Sequence, residues 1–150
     1  MTDVVDTATR SRMMSGIRST NTKPEMLLRR GLHARGFRFR LHDKLLPGKP
    51  DIVLPRYKAV ILVHGCFWHG HDCHLFKWPS TRPEFWQTKI ERNRIVDART
   101  EAALAEINWR QAIVWECALK GRTRLILEEV INICVDWLKT DQPRLEIRGG

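Results

Sequence analysis

The chain has 150 residues and a formal net charge of +9, from 26 Lys and Arg against 17 Asp and Glu, and 43% of its residues are hydrophobic. This size and composition suit one domain with its own core, which excludes a disordered chain and a disulfide-dependent mini-protein. The longest apolar run, Ala59 to Val63, is too short to cross a membrane, and the acidic start lacks a signal-peptide pattern. We therefore expect a cytoplasmic protein.

The positive charge is concentrated towards the N-terminus. Residues 1–50 carry 11 basic and 4 acidic side chains, residues 51–100 carry 8 and 5, and residues 101–150 carry 7 and 8. One basic face on an otherwise ordinary domain favours binding to a polyanion, most commonly a nucleic acid. The alternative is that the charge serves only solubility.

The first 21 residues are polar and are predicted to form an arm with a short helix around residues 11–17. A helix is then expected over residues 24–35, because Thr22-Lys23-Pro24-Glu25 is a helix-start pattern. In this pattern Thr caps free N–H groups, Pro fits the first turn, and Glu reaches back to the cap. Leu28 and Leu32 should face inward, and Gly36 should end the helix.

Strands are predicted at residues 37–41, 51–54, 58–64 and 110–115, and the last three are nearly continuous apolar segments, as in strands covered on both faces. After a long insert, a second helix is expected over 83–107 and capped by Thr81, with Val96, Ala103 and Ile107 towards the core. A third helix over 122–139 precedes a tail at 141–150 that is expected to fray. The apolar stripe of this third helix comprises Leu127, Val130, Ile131, Cys134 and Leu138. The order predicts an α/β domain over residues 22–140, with a mixed central sheet flanked by helices.

The insert after the third strand is rich in metal-binding side chains. Four of the six histidines and two of the four cysteines lie within residues 63–74. Because thiolate and imidazole suit a tetrahedral Zn²⁺, we predict a structural zinc site with Cys66, Cys73 and a histidine between them as ligands. Cys117, which follows a strand, is the candidate fourth ligand, whereas Cys134 is expected in the core. A disulfide, disfavoured in a cytoplasmic protein, and a chance His-rich loop are the alternatives.

Asp51 stands at the mouth of an apolar strand, after the run Leu46-Pro47-Gly48-Lys49-Pro50. A carboxylate here, beside a second strand that ends in His64, could hold Mg²⁺ over a cleft, since Mg²⁺ takes few protein ligands. The second strand carries no acid, so a backbone carbonyl would have to replace a second carboxylate. The alternative is that Pro-Asp only forms a turn.

Three large aromatic side chains, Phe67, Trp68 and Trp86, lie in or after the insert. On a basic protein such side chains can stack on bases or wedge between them, and the alternative is that they pack on the zinc loop. The second long helix has one mostly polar face, formed by Phe85, Lys89, Asn93 and Asp97.

Together these blocks resemble the very-short-patch-repair (Vsr) endonuclease family. The resemblance is carried by Leu46 to Asp51, Val63 to His71 with Cys73, Phe85-Trp86, Val114 to Cys117, and Arg10-Ser11-x-x-Met14 with Asn21-Thr22 and Glu25. It implies a restriction-endonuclease-like fold with a zinc-stabilised loop. It also implies nicking of double-stranded DNA 5′ to the T of T:G mismatches formed by deamination of 5-methylcytosine, at CC(A/T)GG-derived sites.

The resemblance also implies roles for single residues. The carboxylate of Asp51 and the backbone carbonyl of Val63 would bind catalytic Mg²⁺. His69 would be the general base, His64 would contact the scissile phosphate, and Glu25 would assist through water on the metal, with a plain capping role as the alternative. The structural Zn²⁺ would be held by Cys66, His71, Cys73 and Cys117.

On the DNA side, the resemblance matches Phe67, Trp68 and Trp86 to intercalating aromatics, and Met14, Lys89 and Asn93 to positions that contact the mismatch. It implies a monomer at the nucleoid without a membrane partner, and it leaves room for a mismatch-repair ATPase as a partner. Two other interpretations stay open. One is a zinc-stabilised DNA-binding module without catalysis, and the other is a related nuclease with a different mismatch or site as its target.

Overall fold

Five strands form one mixed sheet in the order β1-β2-β3-β4-β5, in a computed structural model that describes residues 21–150. The strands are β1 (Arg40–Leu41), β2 (Ile52–Leu54), β3 (Ala59–His64), β4 (Arg110–Trp115) and β5 (Arg144–Ile147). The first three strands pair antiparallel, whereas β3 with β4 and β4 with β5 pair parallel. The helices are α1 (Lys23–Ala34), α2 (Pro83–Glu106), α3 (Glu116–Leu119) and α4 (Leu127–Leu138), and a 3₁₀ turn covers Pro55–Tyr57.

Helices cover both faces of this sheet. On one face, α1 and α4 enclose the larger core, in which Leu32 and Ile131 pack with Val114 of β4. On the other face, Leu104 of α2 packs with Val53 and Val60. The predicted α/β class, with a mixed sheet flanked by helices, is confirmed.

The first helix forms as predicted. Thr22 is its N-cap, and the Thr22 hydroxyl accepts a hydrogen bond from the Glu25 backbone N–H at 3.3 Å. Leu28 and Leu32 are fully buried. A Cβ at Gly31 would lie 2.1 Å from the Cδ1 atom of Ile131, so this glycine lets α1 approach α4 closely.

The start of α2 differs from the prediction. Its N-cap is Arg82, in the left-handed conformation with φ +50°, and no side chain caps this end, so the predicted Thr81 cap is wrong. With Arg82 in the left-handed conformation as the N-cap, Thr81 lies one residue outside the capping position.

The face that α2 turns towards the protein also differs. Val96 and Ile107 were expected in the core but are 49% and 43% exposed, while Ala103 is half-buried. The inward face carries the fully buried Ile90 and Leu104 towards its two ends, and Asn93 and Asp97 between them, where α2 borders the cleft. The predicted apolar stripe therefore gives the wrong orientation for this helix.

The C-terminal part is more ordered than the sequence predicts. The last helix begins at Leu127, so its predicted start at residue 122 is wrong, but its stripe from Val130 to Leu138 faces the core as expected. The predicted fraying tail over 141–150 is wrong, because β5 pairs parallel with β4. The alternation Arg144-Leu145-Glu146-Ile147 places the two apolar side chains against the larger core, which holds this edge strand in place.

The predicted N-terminal arm, its short helix and Met14 lie outside the described residues. Among the helices of residues 21–150, none is long and apolar enough to cross a membrane.

Candidate active site and metal centre

A cleft of about 250 Å³ lies where β3 meets the insert, and α2 closes one side of it. Asp51, Val63, His64 and His69 all line this cleft, so four of the five residues to which the family resemblance gives catalytic roles share one space. The fifth, Glu25, lies beside Asp51.

The loop between β1 and β2 is seated directly on α2. Gly48 has φ +75°, and a Cβ there would lie 2.3 Å from the Cγ2 atom of Thr100. Only glycine fits both the conformation and the space. This contact fixes one wall of the cleft and, with it, the loop that leads into Asp51.

Asp51 lies just before β2 and is bonded to the next strand. Its Oδ2 atom accepts a hydrogen bond from the Val63 backbone N–H at 2.7 Å. A strand residue directs its N–H and C=O to the same neighbouring strand, so the Val63 carbonyl faces the side on which Asp51 lies. Burial raises the pKa of Asp51 from 3.8 to about 7; the bond from Val63 partly opposes this shift, and the Glu25 carboxylate adds to it.

Glu25 is 1% exposed and is held by several donors. Its carboxylate accepts from Arg29 Nη1 at 2.7 Å and from the Asn21 backbone N–H at 3.2 Å. The Nε2 atom of His42 lies 3.0 and 3.2 Å from its two oxygens. The capping alternative is thus partly correct, since Glu25 reaches back to Asn21, one residue before the cap. The contact of His42 with Glu25 was not predicted, because His42 is a single histidine in a loop without a motif.

Two histidines lie parallel in the cleft. The rings of His64 and His69 stack with centroids 3.9 Å apart and an interplanar angle of 3°. The Nδ1 atom of His69 lies 2.5 Å from Asp97 Oδ2, which leaves Nε2 as the ring nitrogen for a ligand. Burial, helped by the neighbouring His69, lowers the pKa of His64 to about 3, so His64 is neutral at pH 7. Asp97 was predicted only as part of a polar helix face, and its partnership with His69 was missed.

The oxygen donors at Asp51 suit a hard divalent cation. The donor atoms of Asp51, Glu25 and His42 lie within 4.8 Å of one another. Two carboxylates this close repel unless a proton or a cation neutralises one charge. The pKa of Asp51 is raised mainly by burial, and the charge of Glu25 adds to this shift. Mg²⁺ prefers such carboxylate and carbonyl oxygens. The residues present therefore fit the ion that the sequence predicted.

The predicted zinc ligands also come together. The donor atoms of Cys66, His71, Cys73 and Cys117 all lie within 4.8 Å of one another, and none of these cysteines is in a disulfide. His71 Nδ1 is 3.5 Å from Cys66 Sγ and 3.6 Å from Cys117 Sγ. Tetrahedral zinc, with bonds of ~2.3 Å to sulfur and ~2.05 Å to nitrogen, would separate sulfur and nitrogen by about 3.5–3.6 Å. The cluster has these dimensions and could hold a metal ion, whereas Cys134 is buried in the core as predicted.

Turns and α2 together shape the insert between the two sites. The His71 N–H donates to the Cys66 carbonyl at 2.9 Å, and Gly70 adopts φ +62°. From α2, the Asn93 amide donates to the Trp68 carbonyl at 2.8 Å, and Arg94 donates to the carbonyl of Gly70. As a result, the insert directs His69 to the cleft and His71 to the cysteines.

The three predicted DNA-contacting aromatics form one cluster. The ring centroid of Phe67 lies 5.1 Å from that of Trp68 and 5.3 Å from that of Trp86, and the centroids of the two tryptophan rings are 5.7 Å apart. All three are half-buried, so each ring keeps part of its surface open while packing on the others. Lys89, also half-buried, follows Trp86 by one helical turn on α2.

Comparisons with known proteins identify the family of this chain. The sequence profile of a family described as DNA mismatch endonuclease Vsr matches residues 2–75. The Type II nicking enzyme V.XorIIP of Xanthomonas oryzae pv. oryzae is 50% identical over 134 residues, which cover 85% of this chain and 98% of the relative. The DNA mismatch endonuclease Vsr of Escherichia coli is 47% identical over 138 residues, covering 92% and 88% of the two chains. The Type II nicking enzyme V.NmeAIP of Neisseria meningitidis is 44% identical over 139 residues, covering 93% and 98%. With relatives this similar along nearly their whole length, the chain belongs to the Vsr family of DNA mismatch endonucleases.

Proposed function

We propose that the protein is a strand-specific endonuclease that nicks double-stranded DNA 5′ to the T of T:G mismatches formed by deamination of 5-methylcytosine. The observation that carries this proposal is the cleft that the half-buried Asp51 shares with the His69–Asp97 pair. Relatives named as a mismatch endonuclease and as nicking enzymes support the reaction class. The described part of the chain has one such cleft, which fits cleavage of one DNA strand rather than of both.

In this reaction, water attacks the phosphorus and the bond to the 3′ oxygen breaks, which leaves a 5′-phosphate and a 3′-hydroxyl. His69, oriented by Asp97 through Nδ1, accepts the proton of the attacking water at Nε2. His64 lines the same cleft, and its imidazole N–H would donate a hydrogen bond to the scissile phosphate. The 3′ oxygen takes its proton from solvent.

Asp51 and the Val63 carbonyl would hold Mg²⁺, with Glu25 as a second carboxylate beside Asp51. When bound, the ion stabilises the negative charge that develops on the phosphate. Without a cation, the Asp51 and Glu25 carboxylates would repel the DNA backbone. We accordingly infer that nicking depends on Mg²⁺.

Cys66, His71, Cys73 and Cys117 would hold a structural Zn²⁺. Their Cys₃His set leaves no open position for substrate, which is typical of structural zinc. This ion would join the insert to the end of β4 and so fix His69, two residues before the ligand His71. Its role is to hold the loop in shape rather than to take part in the reaction.

On the DNA side, we propose that Phe67, Trp68 and Trp86 enter the base stack at the mismatch. Lys89 and Asn93 on α2 would border this site, and Met14 in an arm of residues 1–21 would contact the same region. The nuclease domain of residues 22–140, with β5 added to it, would have the restriction-endonuclease-like fold. We further propose a monomer at the nucleoid that works with a mismatch-repair ATPase.

A nicking assay with a panel of single-mismatch duplexes tests this function. Each strand is labelled separately, and every duplex is assayed with and without Mg²⁺. We expect cleavage of the T strand of T:G duplexes only with Mg²⁺, and none by Asp51→Asn. Cleavage of a different mismatch instead of T:G would contradict the proposed target. Absence of cleavage on every duplex would favour a DNA-binding module without catalysis.

A further inference from the structure

His42 is tied to the catalytic cleft through its backbone. It follows β1 directly, has φ +49°, and its N–H donates to the Asp51 carbonyl at 3.1 Å. The side chain is mostly buried, with 16% of its surface exposed. The position of the imidazole is therefore fixed relative to Asp51 by one hydrogen bond and by close packing.

The imidazole of His42 reaches across to α1. Its Nε2 atom lies 3.0 and 3.2 Å from the two carboxylate oxygens of Glu25. A carboxylate only accepts hydrogen bonds, so Nε2 carries the hydrogen and donates it. The other nitrogen donors to Glu25, the Arg29 side chain and the Asn21 backbone, belong to α1 and to the turn before it.

His42 is thus the one nitrogen donor to Glu25, within residues 21–150, that comes from the loop carrying Asp51. Glu25 and Asp51 belong to different elements, and their negative charges drive them apart. The bonds from Arg29 and Asn21 hold Glu25 on α1 but do not set its distance from Asp51. The His42 bond spans the two elements and can set that distance.

We propose that His42 is a positioning residue of the cation site: it holds the Glu25 carboxylate beside Asp51 so that both are in place when a divalent cation binds. This inference rests on the proposed function, in which Asp51 is a ligand of the catalytic ion. Partners that orient metal-site carboxylates change metal affinity by about 10- to 100-fold when removed.

The test measures binding of Mn²⁺ alone to the full zinc-containing chain without DNA, by the electron paramagnetic resonance signal of free Mn²⁺. Two variants separate the ring from the hydrogen bond. His42→Phe keeps a planar ring without a donor, and His42→Gln keeps an N–H donor without the ring. His33→Phe is the control, because His33 is an exposed histidine of α1 that contacts Phe39, at 6.3 Å between ring centroids, rather than Glu25.

We expect His42→Phe to weaken Mn²⁺ binding by about 10-fold or more, His42→Gln to stay within about threefold, and His33→Phe to match the wild type. In nicking assays, His42→Phe should need more Mg²⁺ for half-maximal rate and recover its kcat at saturating Mg²⁺. A general structural defect would instead lower kcat at every Mg²⁺ concentration.

Equal Mn²⁺ affinity in His42→Phe and wild type, or equal losses in the Phe and Gln variants, would overturn the inference. Asp51→Asn separates this failure from failure of the proposed function. If Asp51→Asn still nicks DNA, the nuclease assignment fails. If Asp51→Asn is inactive and His42→Phe binds Mn²⁺ normally, only the role of His42 fails.

Discussion

His69 Nδ1 and Asp97 Oδ2 are 2.5 Å apart, and this bond ties the Cys/His-rich insert to the middle of α2. A carboxylate at Nδ1 fixes the tautomer and the orientation of an imidazole and stabilises the ring when it gains a proton. In this chain the pair sets the direction in which Nε2 faces the cleft.

We predict that Asp97 acts only through His69. His69→Ala should lower the single-turnover nicking rate by about 10²–10⁴-fold, and Asp97→Ala by a smaller factor, on the order of 10²-fold. The double variant should be no slower than His69→Ala alone, because residues that work as a unit are not additive. Glu91→Ala, on the exposed side of the same helix, is the control. Additive losses in the double variant would show that Asp97 has a separate role.

A second prediction separates the two neighbouring histidines of the insert. His71→Ala should lose zinc and stability, since His71 faces the sulfurs of Cys66 and Cys117. Its Tm should fall by roughly 10 °C, equivalent to about 3 kcal/mol in a chain of this size. His69→Ala should keep zinc, as should Cys134→Ala, whose thiol lies in the core. Elemental analysis and thermal melts check this, and zinc loss from His69→Ala with a stable His71→Ala would mean that the roles are exchanged.

Residues near the C-terminus contact the Cys/His cluster and its loop. Arg148 binds the Asp72 carboxylate at 2.9 Å and the Asp72 carbonyl at 3.0 Å, and the Gly149 N–H donates to Cys117 Sγ at 3.3 Å. Because this ion pair is exposed, its contribution is small, and Arg148→Ala should speed chelator-driven zinc release by only about two- to fivefold. Arg144→Ala, which removes another exposed C-terminal arginine whose ion pairs are with Glu101 and Glu146, is the control. Equal release rates in all three proteins would argue against this third prediction.

Elements with a strong local pattern could be predicted from the sequence. The apolar runs of β2, β3 and β4 correspond to strands, and Thr22 with Pro24 marks the start of α1. Cys66, His71 and Cys73 came from the insert, with the family resemblance choosing His71 among the histidines, and Cys117 came from its place after a strand. For the strands, the helix start and the insert, the information is carried by residue types close together in the chain.

Features set by tertiary contacts could not be predicted in this way. From the sequence alone, the segment of β5 resembles a polar tail. It forms a strand because it pairs with the edge of β4, and a four-residue strand gains stability only from pairing. Asp97 and His42 gain their roles from partners 28 and 17 residues away. The inward face of α2 is polar along its middle turns because it borders the cleft there, whereas its buried residues, Ile90 and Leu104, are apolar.

The fourth prediction concerns the pH dependence of stability without added Mg²⁺. Burial raises the pKa of Asp51 from 3.8 to about 7, so between these values the folded chain binds a proton that the unfolded chain has lost. Stability contributed by this group therefore falls as the pH rises through this window, by up to about 4 kcal/mol at 1.36 kcal/mol per pKa unit. Asp51→Asn has no carboxyl group to titrate at this position, so its stability does not fall in this way. It should melt at a higher temperature than the wild type at pH 8 and at a similar temperature near pH 4, and a constant difference across this range would contradict the prediction.

The last prediction tests whether the aromatic cluster is a wedge or only packing. Unstacking costs least at a mismatch, so Trp68 should insert most fully at T:G. Stacking on a base contributes about 1–3 kcal/mol, and Trp68→Ala should weaken T:G binding by roughly 5- to 150-fold. A matched duplex, where the wedge inserts less, should lose less, so that discrimination between the two falls.

Trp68→Phe keeps a ring that can stack and should retain most of the affinity. All binding measurements need one salt concentration, because phosphate contacts make affinity strongly salt-dependent, and need Mg²⁺ left out to prevent nicking. Since Trp68 also packs on Phe67 and Trp86, thermal melts must show that the variants are folded. A folded Trp68→Ala that binds T:G and matched DNA like the wild type would show that this ring packs on the insert and does not enter the base stack. A uniform loss on both duplexes would place Trp68 in general DNA binding rather than in mismatch discrimination.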